Sequence, residues 1–223
     1  MEFIEDSFQG LQREANKDST FILEKEGYHL YFLFDGVSSA HGAVEAITQI
    51  KVFIQKNISV YEKSEHFLLK ELIEDLNIML LRSKLNEPFT TICVLYVPFS
   101  KNAFLQYTHL GDSRLYGVKQ NLVSLTQDNN IERMPNVLTK CLGLKKLETG
   151  DFYEKNIAQE YDSYLLCSDG FYNIMEKKRS LFLQILNKDL NLLKKEIARL
   201  IFNQNSDDAT YILIKVKLVA STN

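Results

Sequence analysis

A chain of 223 residues, 45% of them hydrophobic, is long enough to bury a core of ordinary domain size and too apolar to be disordered. Its 26 basic and 29 acidic residues leave a net charge of -3, with no cationic stripe for phosphates, so no nucleic-acid partner is expected. The N-terminus lacks the cationic start of a leader, and nowhere do about eighteen uncharged apolar residues run together; no membrane role is expected and the chain reads as cytoplasmic.

In chain order, residues 19–36, STFILEKEGYHLYFLFDG, read as a hairpin of β-branched and aromatic residues around a charged turn, its second strand ending in Asp35-Gly36. Ala43, Ala46, Ile47, Ile50, Phe53 and Ile54 then recur at three- and four-residue spacing, as do Phe67, Leu68, Leu72, Leu76, Met79 and Leu80, predicting two amphipathic helices. FTTICVLYV and the stretch from 102 to 126 predict a meander of short strands broken by Pro98 and Gly111-Asp112. A weakly patterned stretch leads into DSYLLCSDG, which predicts a buried strand. Residues 171–203 are mostly helical, with Leu190, Leu193, Ile197, Leu200 and Ile201 on one stripe. The alternating run DDATYILIKVKL closes the chain as a strand. No linker and no internal repeat divides it, so one domain spanning 1–223 is expected.

Some chemistries are excluded by spacing. Cys93, Cys141 and Cys167 form no close pair and sit in apolar runs, as reduced core residues do. A cysteine nucleophile for phosphate needs Arg six positions on, where Phe99, Leu147 and Asn173 stand. No GxxxxGK[ST] loop occurs, and His29, His41, His66 and His109 lack zinc-ligand spacing.

What remains is a pattern of carboxylates at strand ends. Asp35, Asp169 and Asp207 each stand beside an apolar strand in a turn rich in Gly, Ser or Asp. Each alone reads as a turn former. Three unneutralised carboxylates brought to one sheet edge would repel, and a divalent cation resolves this; all-oxygen donors favour magnesium or manganese over zinc.

These residues fall in a series of motifs. REANKDS, FLFDGVSSAHGA, FTTICVLYV, HLGDSRLYGV, LVSLTQDNN, LTKCLG, YLLCSDGFYNIM and NSDDATYILIKV, in that order, resemble the RxxNxDS, FDGxGG, GTT, GDSR, LTxDH, TRALG, LLCSDGLxDxL and DNxT motifs of the PP2C-type (PPM) metal-dependent protein serine/threonine phosphatases in their compact bacterial form. The resemblance covers nearly the whole chain and implies an α+β fold, a four-layer α-β-β-α sandwich of two antiparallel sheets flanked by helices. It implies two Mn2+ or Mg2+ ions: Asp35 bridging them with help from the Gly36 carbonyl, Asp169 and Asp207 completing the first site, Asp18 holding water, and Arg13 gripping the substrate phosphate. A paired-ion site lowers the pKa of a shared water and offsets phosphoryl charge, and the planar guanidinium of Arg13 suits bidentate phosphate binding. In related bacterial enzymes the residue matching Asp112 joins a third metal; a Gly-Asp-Ser turn between strands equally needs that Asp as a turn former. Arg114 reads as a structural ion-pair partner.

The match has departures. Position 17 is Lys where the family commonly has Glu; unit charges 4 Å apart at an effective dielectric of 20 interact by about 4 kcal/mol, so Lys17 either turns outward or weakens the second metal. Val37 stands where eukaryotic members carry His. LTKCLG follows soon after LTQDNN, so the family's flap is expected to be largely deleted near residues 131–138. The implied activity is hydrolysis of phosphoserine and phosphothreonine on proteins, opposing a bacterial Ser/Thr kinase, with that kinase or its targets as partner. Two alternatives are a SpoIIE-like phosphatase of anti-sigma-factor antagonists and a pseudophosphatase that binds phosphoproteins without turnover.

Overall fold

A computed structural model describes residues 1–63, 66–100 and 103–216, apart from the side chains of 135 and 136. The chain forms two compact units, each assembled from separated segments: 1–16, 114–127 and 160–223 in the first, 17–113 and 128–159 in the second.

The second unit is built on a five-stranded antiparallel sheet. Its strands are β2 (Asp18–Glu24), β3 (Tyr28–Asp35), β4 (Ile92–Pro98), β5 (Leu105–Leu110) and β10 (Lys155–Ile157), in the order β10-β5-β4-β3-β2. Strand β3 is buried from Leu30 to Phe34, as its aromatic run requires. Helices α1 (Ala43–Asn57) and α2 (Leu69–Arg82) turn Ala46, Ile47, Ile50, Ile54, Leu72, Ile73 and Leu76 onto Leu30, Phe32 and Phe34. Each such Leu, Ile or Phe side chain contributes about 1.5–3 kcal/mol of burial. A short hairpin, β8 (Asn130–Ile131) with β9 (Met134–Leu138), occupies the stretch that reads as a deleted flap.

The first unit holds the other five-stranded antiparallel sheet. Strands β1 (Glu2–Phe8), β12 (Ala209–Lys215), β11 (Ser163–Cys167), β6 (Arg114–Val118) and β7 (Leu122–Ser124) lie in that order. Helices α3 (Asp169–Lys177), α4 (Arg179–Ile185) and α5 (Leu190–Ile201) cover one face, burying Phe171, Met175, Phe182, Leu193 and Ile197 against Leu165, Cys167, Tyr211 and Leu213. The Asp189 carboxylate caps α5 by accepting the Leu192 N–H at 3.0 Å. Two antiparallel sheets with helices make an α+β fold, and none of the helices among the described residues is long and apolar enough to cross a membrane.

Candidate functional site

In the second unit, the register of the β2–β3 hairpin sets Asp18 opposite Asp35. Like charges directly opposite on adjacent strands destabilise a sheet, so this pair favours a nearby cation. The carbonyl of Asp35 accepts from the Thr91 N–H at 2.8 Å and the Thr90 hydroxyl at 3.0 Å, which fixes the strand end. Gly36 donates its N–H to the Lys17 carbonyl at 3.2 Å. A Cβ at position 36 would stand 2.9 Å from that carbonyl oxygen and 3.0 Å from the Lys17 Cβ, so the close approach calls for glycine. The Lys17 ammonium donates to the carbonyls of Ser38 at 2.8 Å and Ala40 at 3.0 Å, and so clasps the turn that follows Gly36. His41, nearby in sequence, is exposed and bonded to Glu87 at 3.1 Å.

Asp112 is buried in the turn after β5. Gly111 adopts a φ of +115°, and a Cβ there would meet the Thr91 side chain at 2.6 Å. The turn is held on both sides: Ser113 Oγ lies 2.7 Å from Thr91 Oγ1, while Asn129 donates to the Gly111 carbonyl at 2.9 Å and accepts its N–H at 3.0 Å. The Asn130 amide reaches the Asp112 carboxylate at 3.5 Å. Burial, and after it the negative charge of Asp112, pushes the Cys141 thiol up to about 12, so this cysteine is an inert core group.

In the first unit, a tight turn at residues 10–13 lies along residues 205–208. Leu11 and Gln12 donate to the carbonyls of Asn205 and Ser206 at 3.0 and 3.2 Å, Arg13 donates to Gly10 at 3.0 Å, and the Gly10 N–H donates to Asp208 Oδ1 at 2.8 Å. A Cβ on Gly10 would stand 2.5 Å from the Asp207 carbonyl carbon, so only glycine lets the two segments approach this closely. Asn205 is buried, and its amide lies within hydrogen-bonding reach of the carbonyls of Phe8, Gln9 and Asp207 at 3.3, 3.0 and 3.2 Å.

The Arg13 fork closes on Asp207. Nε donates to Oδ1 at 2.6 Å and Nη2 donates to Oδ2. The guanidinium is held above its ordinary pKa, first by the hydrogen bond to Asp207 and then, against desolvation, by the charges of Asp207, Asp208 and Asp169. Asp169 opens α3, and Gly170 packs so closely on the next segment that a Cβ would lie 2.2 Å from the Asp208 carbonyl oxygen. Ser168 joins the same segments: its hydroxyl accepts the Thr210 N–H at 2.9 Å, and its own N–H donates to the Thr210 carbonyl at 3.0 Å. Arg114 pairs with Glu176 at 2.9 Å and lies over the Tyr172 ring at 3.7 Å.

The donors present are carboxylates and main-chain carbonyls, the set that hard divalent cations take. Among the described residues, no three His, Cys, Asp or Glu side chains converge on one point as ligands. At Asp207 the positive charge is supplied by the Arg13 guanidinium, on which the charges of Asp208 and Asp169 also act. Gly10, Ser168, Gly170 and Asn205 position these groups.

The fold is similar to that of solved bacterial serine/threonine phosphatases. The serine/threonine phosphatase Stp1 from Staphylococcus aureus aligns over 97% of this chain and 95% of its own at 19% identity, with a TM-score of 0.74. A bacterial serine phosphatase aligns over 97% and 98% at 21% identity and a TM-score of 0.77, and RsbX, solved in complex with magnesium, over 96% and 94% at 17% and 0.69. No protein-family model and no curated protein matches the sequence.

Proposed function

We propose that this chain is a metal-dependent phosphatase that hydrolyses phosphoserine and phosphothreonine on proteins, with a Ser/Thr kinase or its targets as the source of substrate. The observation that supports this most directly is the gathering of Asp169, Asp207 and Asp208 about the Arg13 guanidinium within a fold shared with serine/threonine phosphatases. Asp35, the Gly36 carbonyl, Asp169 and Asp207 are the proposed ligands of Mn2+ or Mg2+, with Asp112 serving a third ion; magnesium in RsbX agrees with this donor chemistry. Bound ions would supply water activation and charge neutralisation.

The chain's own groups do the rest. Arg13 presents two parallel N–H donors to phosphoryl oxygens, Asp18 orients the attacking water by accepting its hydrogen bond, and buried Thr90 and Thr91 keep the Asp35 strand end fixed. The test is phosphate release from a phosphothreonine peptide with manganese, magnesium, calcium or chelator. Turnover is expected with manganese or magnesium only. Asp169→Asn and Asp207→Asn should fall to the level of the chelated control while keeping a native circular dichroism spectrum, and Asp112→Ala should retain measurable turnover. Full turnover by both Asn variants refutes the ligand assignment; no turnover by folded wild-type protein with either metal favours the phosphoprotein-binding alternative.

A further inference from the structure

The Arg13–Asp207 pair uses a carboxylate that the proposed function also needs. Asp207 Oδ1 accepts from Arg13 Nε at 2.6 Å and from the Asp208 N–H at 2.8 Å, which fills both lone-pair directions of that oxygen, and Oδ2 accepts from Arg13 Nη2. A cation taking Asp207 must therefore displace at least one arm of the fork, and its charge would repel the guanidinium that stayed beside it.

The pair is built to open without disturbing the fold. The Arg13 main chain is fixed by its bond to Gly10 and by the bonds of Leu11 and Gln12 to Asn205 and Ser206, so only the side chain needs to swing. Both side chains are about one-third exposed, at 31% and 33%, so water screens the pair and the opened fork is readily solvated. When the fork leaves, Asp208 Oδ1 keeps its bond from the Gly10 N–H, and the 10–13 turn stays docked.

We propose that Arg13 is a cation placeholder: it and the divalent ion compete for Asp207, so that loading the ion releases the Arg13 fork for the phosphoryl group. This rests on the reading of Asp207 as a metal ligand given above. It adds an order of events, cation before phosphoester, because the donors that would grip phosphate are committed to the Asp207 carboxylate until an ion takes it. It also makes Arg13 an antagonist of metal binding, although it serves as a phosphate ligand once the ion is in place.

The experiment is calorimetric titration of Mn2+ into the chelator-treated full chain, comparing wild type with Arg13→Ala and Arg13→Gln, each checked for a native circular dichroism spectrum. The glutamine keeps a polar stem and loses the charge, so it serves if the alanine variant fails to fold. Removing the competing ion pair should tighten Mn2+ binding about tenfold, the scale of one partly exposed pair together with relief of adjacent charge. Equal or weaker Mn2+ affinity in the folded variants, with wild type still binding, overturns the competition and leaves the ligand assignment standing. Absence of Mn2+ binding in all three proteins overturns both together.

Discussion

Replacing Gly170 by alanine sets two effects of opposite sign against each other. In a helix interior, alanine is favoured over glycine by about 1 kcal/mol, and residue 170 lies in the first turn of α3. By propensity alone, Gly170→Ala should therefore stabilise. The added Cβ would, however, lie 2.2 Å from the Asp208 carbonyl oxygen, 2.9 Å from its carbon and 3.2 Å from the Asp207 carbonyl oxygen. Relief requires a main-chain movement of about an ångström, since each contact is backbone and none is the end of a flexible side chain. Overpacking a buried contact costs about 1–3 kcal/mol, and rigid partners place this case in the upper part of that range. The net expectation is destabilisation of about 1–2 kcal/mol, a fall in Tm of about 2–8 °C, read by circular dichroism or calorimetry on the metal-free protein. On the proposed ligand assignment, the same movement would disturb Asp169 against residues 207–208, and Mn2+ affinity should weaken as well. An unchanged or raised Tm would show that α3 does not pack on residues 207–208 as described.

Two further changes test the segments that carry the acids. Asn205→Ala removes the buried amide that serves the carbonyls of Phe8, Gln9 and Asp207, and should cost about 2–3 kcal/mol in urea unfolding, with a loss below 0.5 kcal/mol contradicting its bridging role. Lys17→Met removes the ammonium from Ser38 and Ala40; the Gly36 and Ala40 amides should exchange with deuterium faster, while unchanged protection would mean that the 36–40 turn holds itself.

Much of this architecture could be read from the residues themselves. The β2–β3 hairpin is written in its runs of β-branched and aromatic residues around a charged turn, and α5 in the spacing of Leu193, Ile197 and Ile201, all buried as the 3.6-residue period demands. The Asp-Gly and Ser-Asp-Gly strand ends stood out because a charge interrupts an apolar run. Strand β1 was not foreseen: Glu2, Glu5 and Asp6 interrupt its apolar residues, and as an edge strand it buries none of its residues fully. The two-residue β8 and the three-residue β10 are too short to show a period. The pairing of Arg13 with Asp207 spans 194 positions, and no local pattern encodes a contact at that distance. The Lys17 ammonium is held by acceptors two and four residues past Gly36, which are main-chain carbonyls and carry no sequence signature.

The first unit is assembled from segments far apart in the chain, which bears on how it comes together during synthesis. Phe3 is the register partner of Ile214, and β12 lies between β1 and β11 as a central strand. On the ribosome, residues 17–113, the larger segment of the second unit, emerge before β12 and can begin to pack at once, whereas β1 waits for its neighbour until residues 209–215 are made. Contacts of such long sequence separation form slowly, because loop closure must precede any gain from them. Until β12 is released, both β1 and β11 expose an unpaired edge with its row of N–H and C=O groups, the kind of template on which nascent chains associate. Release of β12 is therefore the step that joins β1 to the β11-β6-β7 part of its sheet, and a product truncated before residue 209 would leave β1 without a strand partner and β11 with an open edge.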